Sequence, residues 1–416
     1  MKYLLAILMI LFCLLGYSSS CLDNQGNPVS WWMIIKKPDL QNTDQPHAIY
    51  IDSRTDSNYQ YIKDIHDPNN ALLQTIQSIG TINTPEILNN QKKACADYGN
   101  CSLLYSDQTP TQTVGSKYSH SKGIISFNEN KGIWILHSLP KFPYIDANKI
   151  ISDFSKNSNI NDNGQMFFCL TINKSKQFKK IIKHLQKIKV NFYPNLPNEF
   201  YPKNKKGTSD KMLKTKINIK SVTYDANDQT QFTSYGRKYL KPNNNDIYEY
   251  YAKLKSIVLK VRHWFTSKAK ELKENNNIKY IREMHFPSLL SSWGETQDDH
   301  SKWALSESGN HICVGDLNRE NAQKERGGQI LCFENARLWN ILNSMITPIN
   351  GLKSKAIKIV CNHPGISRTK LLQEIKNKTN IIDELISENK LNANQSKNKR
   401  GIVYYVSDTI CGSIRN

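Results

Sequence analysis

The stretch Ser119-His120-Ser121-Lys122-Gly123-Ile124-Ile125-Ser126-Phe127 places a polar His-Ser-Lys element directly before an apolar run. The same arrangement returns later in the chain as Asp299-His300-Ser301-Lys302-Trp303-Ala304-Leu305. Because side chains alternate along a strand with period two, each histidine shares a face with the lysine two residues further on. A pattern that occurs twice in this way indicates two related halves, each with one histidine and one lysine.

The pairs His120 with Lys122 and His300 with Lys302 carry the groups that phosphoryl transfer needs in the absence of a metal. A neutral imidazole can attack phosphorus, and a protonated imidazole can give its proton to the leaving oxygen. The lysine ammonium groups can bind the non-bridging oxygens and offset charge in the transition state. We therefore predict that both pairs converge on one phosphodiester, with a mildly acidic optimum because an unperturbed histidine has a pKa of about 6.5.

The rest of the chain mixes strand and helix signals. Aromatic and β-branched runs predict strands at residues 29–35, 123–127, 132–136 and 166–172, and apolar segments at 311–315 and 329–333 bracket a polar loop. Apolar residues at helical spacing predict helices over 178–188 and 247–273, the latter with Leu254, Ile257, Val258 and Val261 on one side. This mixture predicts an α/β (α+β) fold with mixed β-sheets flanked by helices.

We divide the chain into a signal peptide (1–20), a first half (21–235), a second half (236–350) and a C-terminal module (351–416). The apolar run from Leu4 to Leu15 follows Lys2 and is too short to span a bilayer, so we expect export and no stable membrane anchor. The order of elements in the last segment predicts a winged helix. Acidic residues in its recognition helix would repel phosphates, so a structural or protein-docking role is an equal alternative.

Charge is strongly biased, with 56 Lys plus Arg against 36 Asp plus Glu and a formal net charge of +20. Lysines concentrate between Thr171 and Lys220. A field of this sign attracts polyanions, either nucleic acid or an anionic membrane surface. A solvated lysine-rich surface without a partner is the alternative.

Nine cysteines are present, and removal of Cys13 with the signal peptide would leave an even number. An even number in an exported chain indicates disulfides, although spacing alone does not choose among the pairings. No Cys-x-x-Cys pair occurs and the histidines are scattered, which argues against a structural zinc site. We predict no metal and no small-molecule cofactor.

Four groups of motifs resemble the deoxyribonuclease II family, whose fold is like that of the two-lobed phospholipase D superfamily. They are Gly26-Asn27-Pro28-Val29-Ser30-Trp31-Trp32; His120-Ser121-Lys122-Gly123 continuing to His137-Ser138-Leu139-Pro140; Asp299-His300-Ser301-Lys302-Trp303; and Val314-Gly315-Asp316-Leu317-Asn318-Arg319 with Arg326-Gly327-Gly328 and Cys332. They follow the family's order over most of the chain. The resemblance implies two pseudo-symmetric phospholipase D-like halves and metal-independent cleavage of DNA at acidic pH, leaving 3′-phosphate and 5′-hydroxyl ends.

The resemblance also implies roles for individual residues. His120 would be the nucleophile and His300 the general acid, with Lys122 and Lys302 completing the two half-sites. Asn318 would bind the phosphate, and His137 would either orient the site or simply pack in its strand. Phospholipase D motifs carry an aspartate seven residues after the histidine, where this chain has Phe127 and Glu307, so the residue that orients His120 is not identified.

The resemblance further suggests disulfides between Cys21 and Cys169 and between Cys313 and Cys332. The remaining cysteines would then pair as Cys95 with Cys101 and Cys361 with Cys411. Together these points predict an exported protein, secreted or periplasmic, or lysosomal in a eukaryotic host.

The leading hypothesis is an acid endonuclease with DNA as its substrate, which could form a homodimer. One alternative is a lipid phosphodiesterase of the phospholipase D type, against which the family-like segments around Trp31, Pro140 and Arg326 argue. The other alternative is a non-catalytic secreted DNA-binding or toxin-like protein. Intact His-Ser-Lys elements in both halves argue against it, because a binding protein has no need of them.

Overall fold

The computed structural model describes residues 20–39, 47–55, 59–80, 101–128, 130–148, 150–151, 154, 157, 159–173, 175–193, 212–218, 230–239, 246–265, 271–286, 291–294 and 297–346. The predicted signal peptide and the winged-helix-like module fall outside these residues and stay predictions. No helix within the described residues is long and apolar enough to cross a membrane.

The first large sheet is built from the N-terminal part of the chain, after a small sheet of β1 (Cys21–Leu22) and β2 (Pro28–Val29). Its strands are β3 (Trp31–Lys36), β4 (Ala48–Asp52), β5 (Gln60–Ile62), β6 (Cys101–Tyr105), β7 (Gly123–Phe127), β8 (Gly132–His137), β9 (Gln165–Ile172) and β10 (Phe192–Tyr193). They lie in the order β10-β6-β7-β8-β9-β3-β4-β5, and all neighbours are antiparallel. The predicted strands at 29–35, 123–127, 132–136 and 166–172 are therefore confirmed, with small shifts of their ends.

The second large sheet uses the later part of the chain. Its strands are β11 (Leu213–Asn218), β12 (Gln231–Arg237), β13 (Leu259–Arg262), β14 (Ile278–Tyr280), β17 (Trp303–Ser306), β18 (His311–Gly315) and β19 (Gly328–Glu334). They lie in the order β11-β12-β19-β18-β17-β13-β14, with β13 and β14 parallel and the other neighbours antiparallel. The second sheet thus begins before the predicted boundary between the halves at residue 235, because β11 pairs with β12 and β12 pairs with β19.

Two further strands, β15 (Met284–Phe286) and β16 (Ser291–Trp293), form an antiparallel pair in a second unit of the chain, which comprises residues 282–294 and 342–416. Both large sheets and all candidate site residues belong to the first unit, residues 1–281 and 295–341.

The helices are α1 (Ala71–Gln77), α2 (Asn159–Asp162), α3 (Ser175–Ile188), α4 (Ile247–Lys255) and α5 (Ala336–Ile346). Helix α3 confirms the helix predicted over 178–188. The long helix predicted over 247–273 is wrong, because α4 ends at Lys255 with Ser256 in the left-handed conformation at a φ of 55°. The β-branched Val261 that follows lies in β13 between β17 and β14, where sheet pairing outweighs the local helical spacing.

Aromatic side chains join the two large sheets within the first unit. The Phe168 ring of β9 lies 6.1 Å from that of Trp31 on β3 and 5.4 Å from that of Phe333 on β19. The Phe232 ring of β12 lies 4.6 Å from that of Phe333. Burial on both faces explains why β3 reads as a continuous apolar run rather than an alternating one.

Each large sheet also packs on its other face against a helix. Trp32 and Ile34 of β3 belong to a buried cluster with α1, and Leu259 and Val261 of β13 belong to one with α4. The mixed α/β fold class predicted from the sequence is confirmed.

Two disulfides join strands of the first unit. Cys21 of β1 is bonded to Cys169 of β9, and Cys313 of β18 is bonded to Cys332 of β19, as the resemblance suggested. Cys101 is also disulfide-bonded. Cys95, Cys361 and Cys411 lie outside the described residues, so the other two pairings stay predictions.

Candidate active site

The two His-Ser-Lys elements occupy equivalent places in the two sheets. His120 to Lys122 lead directly into β7, and His300 to Lys302 lead directly into β17. Each strand is followed by an antiparallel meander, β7-β8-β9 in the first sheet and β17-β18-β19 in the second. The repeated sequence element thus corresponds to a repeated structural element.

Asp107 organises the first half-site. This buried residue follows β6, the strand that pairs with β7. Its carboxylate oxygens lie 2.9 Å from His120 Nδ1, 2.6 Å from Lys122 Nζ and 2.6 Å from Arg326 Nη2. Burial opposes ionisation, but Lys122, His120 and Arg326 together hold the pKa of Asp107 well below its usual value.

This contact identifies the carboxylate that orients His120. Nδ1–H of the imidazole donates to Asp107, which leaves Nε2 as the nitrogen with a free lone pair. Burial and the charge of Lys122 lower the pKa of His120 to about 3. The lowered pKa favours the neutral form of the His120 imidazole.

Asp299 organises the second half-site. This buried carboxylate accepts hydrogen bonds from Arg262 Nε at 3.0 Å and Nη2 at 2.8 Å, and from Ser301 Oγ at 2.7 Å. Lys302 Nζ donates to the carbonyl of His300 at 2.9 Å. The ring of Trp264 lies 4.8 Å from that of His300 and covers one side of it.

Electrostatic interactions show that the two half-sites lie together. Burial and Lys302 lower the pKa of His300 to about 4, and Lys122 of the other half lowers it further. Burial and Lys122 lower the pKa of Lys302 to about 8. Lys122 therefore acts on both groups of the opposite half, and His120, Lys122, His300 and Lys302 belong to one cluster.

The halves exchange main-chain hydrogen bonds at the two histidines. His120 N–H donates to the carbonyl of Gly327 at 2.9 Å, and His300 N–H donates to the carbonyl of Gly164 at 2.9 Å. Each glycine directly precedes the third strand of its own meander, β19 for Gly327 and β9 for Gly164. The exchange is therefore reciprocal, since each half accepts a main-chain hydrogen bond from the histidine of the other half.

Neither glycine has room for a side chain. A Cβ on Gly327 would lie 2.6 Å from Ser119 Oγ, and a Cβ on Gly164 would lie 2.8 Å from Asp299 Oδ1. Ser119 and Asp299 are the residues before the two histidines, so each His-Ser-Lys element packs against the opposite glycine in the same way.

Asp316 forms another bond between the halves. Its carboxylate accepts from the Ser121 hydroxyl of the first half and, at 3.2 Å, from the backbone N–H of Gln329. Burial raises the pKa of Asp316 to about 7. The carboxylate of Asp316 therefore links the loop after β18 to Ser121 of the first half.

Asn318 and His137 lie beside this cluster. Asn318 is buried, its backbone N–H donates to Gln323 Oε1 at 3.1 Å, and its side chain adjoins the Glu320 carboxylate, which Lys302 also influences. The ring of His137 packs 5.3 Å from that of Phe142 and 6.0 Å from that of Phe167. Burial and Lys122 lower the pKa of His137 to about 3. His137 is thus a packed strand residue within electrostatic reach of Lys122.

Sequence reasoning assigned no role to Asp107, Arg326 or the two glycines. Of these, Arg326 and Gly327 lie in a family-like segment, so the resemblance was their signal, whereas no local pattern marked Asp107 or Gly164. Among the described residues, no group of three or more His, Cys, Asp and Glu is arranged to hold a metal ion.

Two sheets that each carry a His-Ser-Lys element at the start of a meander define the phospholipase D-like class of α/β proteins. The family model described as Deoxyribonuclease II matches residues 20–352. The chain therefore belongs to the deoxyribonuclease II family, whose members are hydrolytic nucleases.

Known proteins are similar over nearly their whole length. Cell-death-related nuclease 7 of Caenorhabditis elegans is 24% identical over 367 residues, covering 85% of this chain and 94% of the relative. Plancitoxin-1 of Acanthaster planci is 27% identical over 365 residues, covering 80% and 93%. Deoxyribonuclease-2-alpha of Rattus norvegicus is 26% identical over 348 residues, covering 79% and 93%.

Proposed function

We propose that the protein is an endonuclease that hydrolyses DNA phosphodiesters at acidic pH without a divalent metal, through a phosphohistidine intermediate. The observation that carries the proposal is the cluster of two histidine–lysine pairs, one from each sheet, with Lys122 acting on both groups of the other half. Membership of the deoxyribonuclease II family supports DNA as the substrate.

In the first step, Nε2 of His120 attacks phosphorus and a nitrogen–phosphorus bond forms. The bond from phosphorus to the 5′ oxygen breaks, and His300 gives this oxygen its proton, which releases a 5′-hydroxyl end. Asp107 holds the Nδ1–H of His120 and stabilises the positive charge that develops on the ring. Lys122 and Lys302 offset the negative charge of the non-bridging oxygens.

In the second step, water attacks the phosphohistidine and His300 takes up the proton that the water loses. The nitrogen–phosphorus bond breaks, which leaves a 3′-phosphate end and restores both histidines to their starting state. Asn318, whose side chain lies beside Glu320, donates its amide N–H to the phosphate. His137 supports the end of β8 beside Lys122 through its packing against Phe142 and Phe167.

The test is incubation of supercoiled plasmid with the purified protein at about pH 5 in excess EDTA. We expect nicking by the natural protein and none by His120→Ala or His300→Ala variants that keep the circular dichroism spectrum of the natural protein. End-labelling should show phosphate on the 3′ ends. Nicking that requires added magnesium, or that persists in both variants, would refute the proposal.

We also propose that the protein is exported, a proposal supported by the apolar run from Leu4 to Leu15 and the two disulfides. Amino-terminal sequencing of the protein recovered outside the cytosol should begin close to Cys21. A protein recovered with residue 1 intact would contradict export with cleavage.

A further inference from the structure

Helix α3 divides its residues sharply between two faces. Phe178, Ile181, Leu185 and Ile188 are fully buried against the rest of the protein. The solvent face carries four exposed lysines, which are Lys179, Lys180, Lys183 and Lys187. No acidic residue occurs anywhere between Asp162 and Glu199 in the sequence, so the helix itself holds no compensating charge.

Three exposed lysines of the second half, in contrast, form ion pairs. Lys253 pairs with Glu249 at 2.6 Å, Lys279 with Glu307 at 2.6 Å and Lys255 with Glu334 at 3.2 Å. None of the four α3 lysines forms an ion pair with another described residue. Four positive charges on adjacent turns of one helix, with no ion pair among the described residues, repel each other and favour an external anion.

The carboxyl end of α3 adjoins the first half-site directly. Ser119, the residue before His120, donates its hydroxyl to the carbonyl of Ile188 at 2.5 Å and its backbone N–H to the carbonyl of Lys189 at 3.0 Å. Lys189 Nζ lies 4.9 Å from the centre of the Tyr118 ring. The residue before His120 is therefore hydrogen-bonded to the end of the helix that carries the lysine face.

The length of this face suits a nucleic-acid backbone. At a rise of about 1.5 Å per residue, the segment from Lys179 to Ile188 extends about 13 Å. With about 3.4 Å of duplex axis per phosphate on each strand, it covers about four phosphates. An anionic membrane fits less well, because helices that lie on membranes insert an apolar face, and the apolar face of α3 is already buried in the protein.

From these observations we infer that the lysine face of α3 binds the phosphate backbone of duplex DNA next to the phosphate that is cleaved at His120. The inference rests on the proposed function and adds where the flanking duplex lies. It assigns to Lys179, Lys180, Lys183 and Lys187 a role in holding long substrates and none in the chemical step.

The test compares two variants that each remove four positive charges. One changes the α3 lysines to glutamine, K179Q/K180Q/K183Q/K187Q, and the control changes four exposed lysines of the second half, K253Q/K255Q/K273Q/K279Q. Binding of a 30-base-pair duplex, measured by fluorescence anisotropy in a His120→Ala background, is followed as a function of salt. We expect the α3 variant to lower the slope of log K against log salt by about 3 to 4, at about 0.9 per lost phosphate contact, and the control to lower it by less than about 1.

Turnover of two substrates separates binding from chemistry. For a long duplex, the α3 variant should raise KM about tenfold or more and leave kcat unchanged. For the small diester bis(p-nitrophenyl) phosphate, which cannot reach α3, kcat/KM should stay within twofold of the natural protein. Equal slopes for both variants, an α3 variant that loses turnover of the small diester, or binding to anionic lipid vesicles with an unchanged DNA slope would each overturn the inference.

These outcomes are distinct from failure of the proposed function. If the natural protein cleaves neither substrate, the proposed chemistry is wrong, but the salt slopes still decide whether α3 binds duplex DNA.

Discussion

At the scale of single residues, the main addition from the structure is the carboxylate that holds His120. Phospholipase D motifs suggested an aspartate just after the histidine, and this chain has Phe127 and Glu307 at those positions. Asp107 instead reaches His120 from the neighbouring strand β6, and Arg326 of the second half balances its charge. The carboxylate that orients His120 thus comes from the residue that follows a neighbouring strand and not from the His-Ser-Lys motif.

Asp107→Asn should lower kcat for plasmid nicking by about 100-fold or more, because the amide neither fixes the His120 tautomer nor stabilises the charged imidazole. KM for DNA should change little, since Asp107 is buried. Rates of plasmid nicking at several DNA concentrations measure both constants.

The exposed Asp64→Asn variant is the matched control, because its Oδ1 accepts from the His66 N–H and an asparagine oxygen accepts equally well. An Asp107→Asn variant that folds and turns over like this control would show that Asp107 does not position the nucleophile.

The histidine pKa values predict the pH dependence. In the proposed mechanism His300 is the protonated acid, and its pKa of about 4 means that kcat/KM should fall tenfold per pH unit above that value. His120 is the neutral nucleophile of that mechanism, and its pKa of about 3 places the acidic limb lower still. Bound phosphodiester is an anion that offsets the lysine charges, so the alkaline limb of kcat should lie at higher pH than that of kcat/KM.

The Lys302→Gln variant tests whether the charge of Lys302 lowers the pKa of His300. Removing a positive charge that lowers the pKa of His300 should move the alkaline limb of kcat/KM to higher pH, even though the maximal rate falls. Complete pH–rate profiles of both proteins provide the measurement. An alkaline limb that stays in place or moves to lower pH would contradict the assignment of His300 as the acid.

At the scale of structural elements, the site depends on two loops that enter β9 and β19. Gly327→Ala would place a methyl group against Ser119 and should displace His120, whereas Gly164→Ala should displace His300 through Asp299. Each change therefore acts on the histidine of the other half. Misplacement by about 1 Å is enough to lower kcat about 100-fold.

Histidine ring signals in NMR spectra distinguish the two effects, because each variant should shift the signal of one catalytic histidine far more than that of the other. Gly115→Ala is the control, since a Cβ at Gly115 meets no atom within 4 Å. Equal shifts of both histidine signals in both variants would indicate that the whole site has loosened. They would contradict the reciprocal hydrogen bonding between the halves.

The elements also show where local pattern misleads. Residues 247–273 have apolar side chains at helical spacing, yet α4 stops at Lys255 and β13 follows at Leu259. Val261 and its neighbours pair with β17 and β14, and these partners come from later parts of the chain. A short apolar run does not by itself decide whether the segment forms a helix or a strand.

At the scale of the whole molecule, the family match ends at residue 352 and every described site residue lies before residue 347. A chain truncated after residue 352 should therefore keep kcat for plasmid nicking within about twofold of the full-length protein, because all the groups that we assign to the chemical step remain. The same truncation carrying His120→Ala provides the control for contaminating nuclease.

A truncated protein that folds but does not nick would assign residues 353–416 an essential part in the site and refute the predicted division into domains. The homodimer stays a prediction, which the mass of the full-length protein in solution would decide.

The sequence by itself identified the candidate catalytic side chains and most of the strands around them. Two His-Ser-Lys elements that open apolar strands identified the imidazoles and ammonium groups, and runs such as Trp31 to Ile35 identified sheet strands, because both signals lie within a few consecutive residues. Only the tertiary structure decided that Asp107 and Arg326 hold His120 and that Gly164 and Gly327 exchange bonds with the opposite halves. These contacts join residues far apart in the chain, and no local pattern encodes which distant partner the packing of two sheets brings within hydrogen-bond distance.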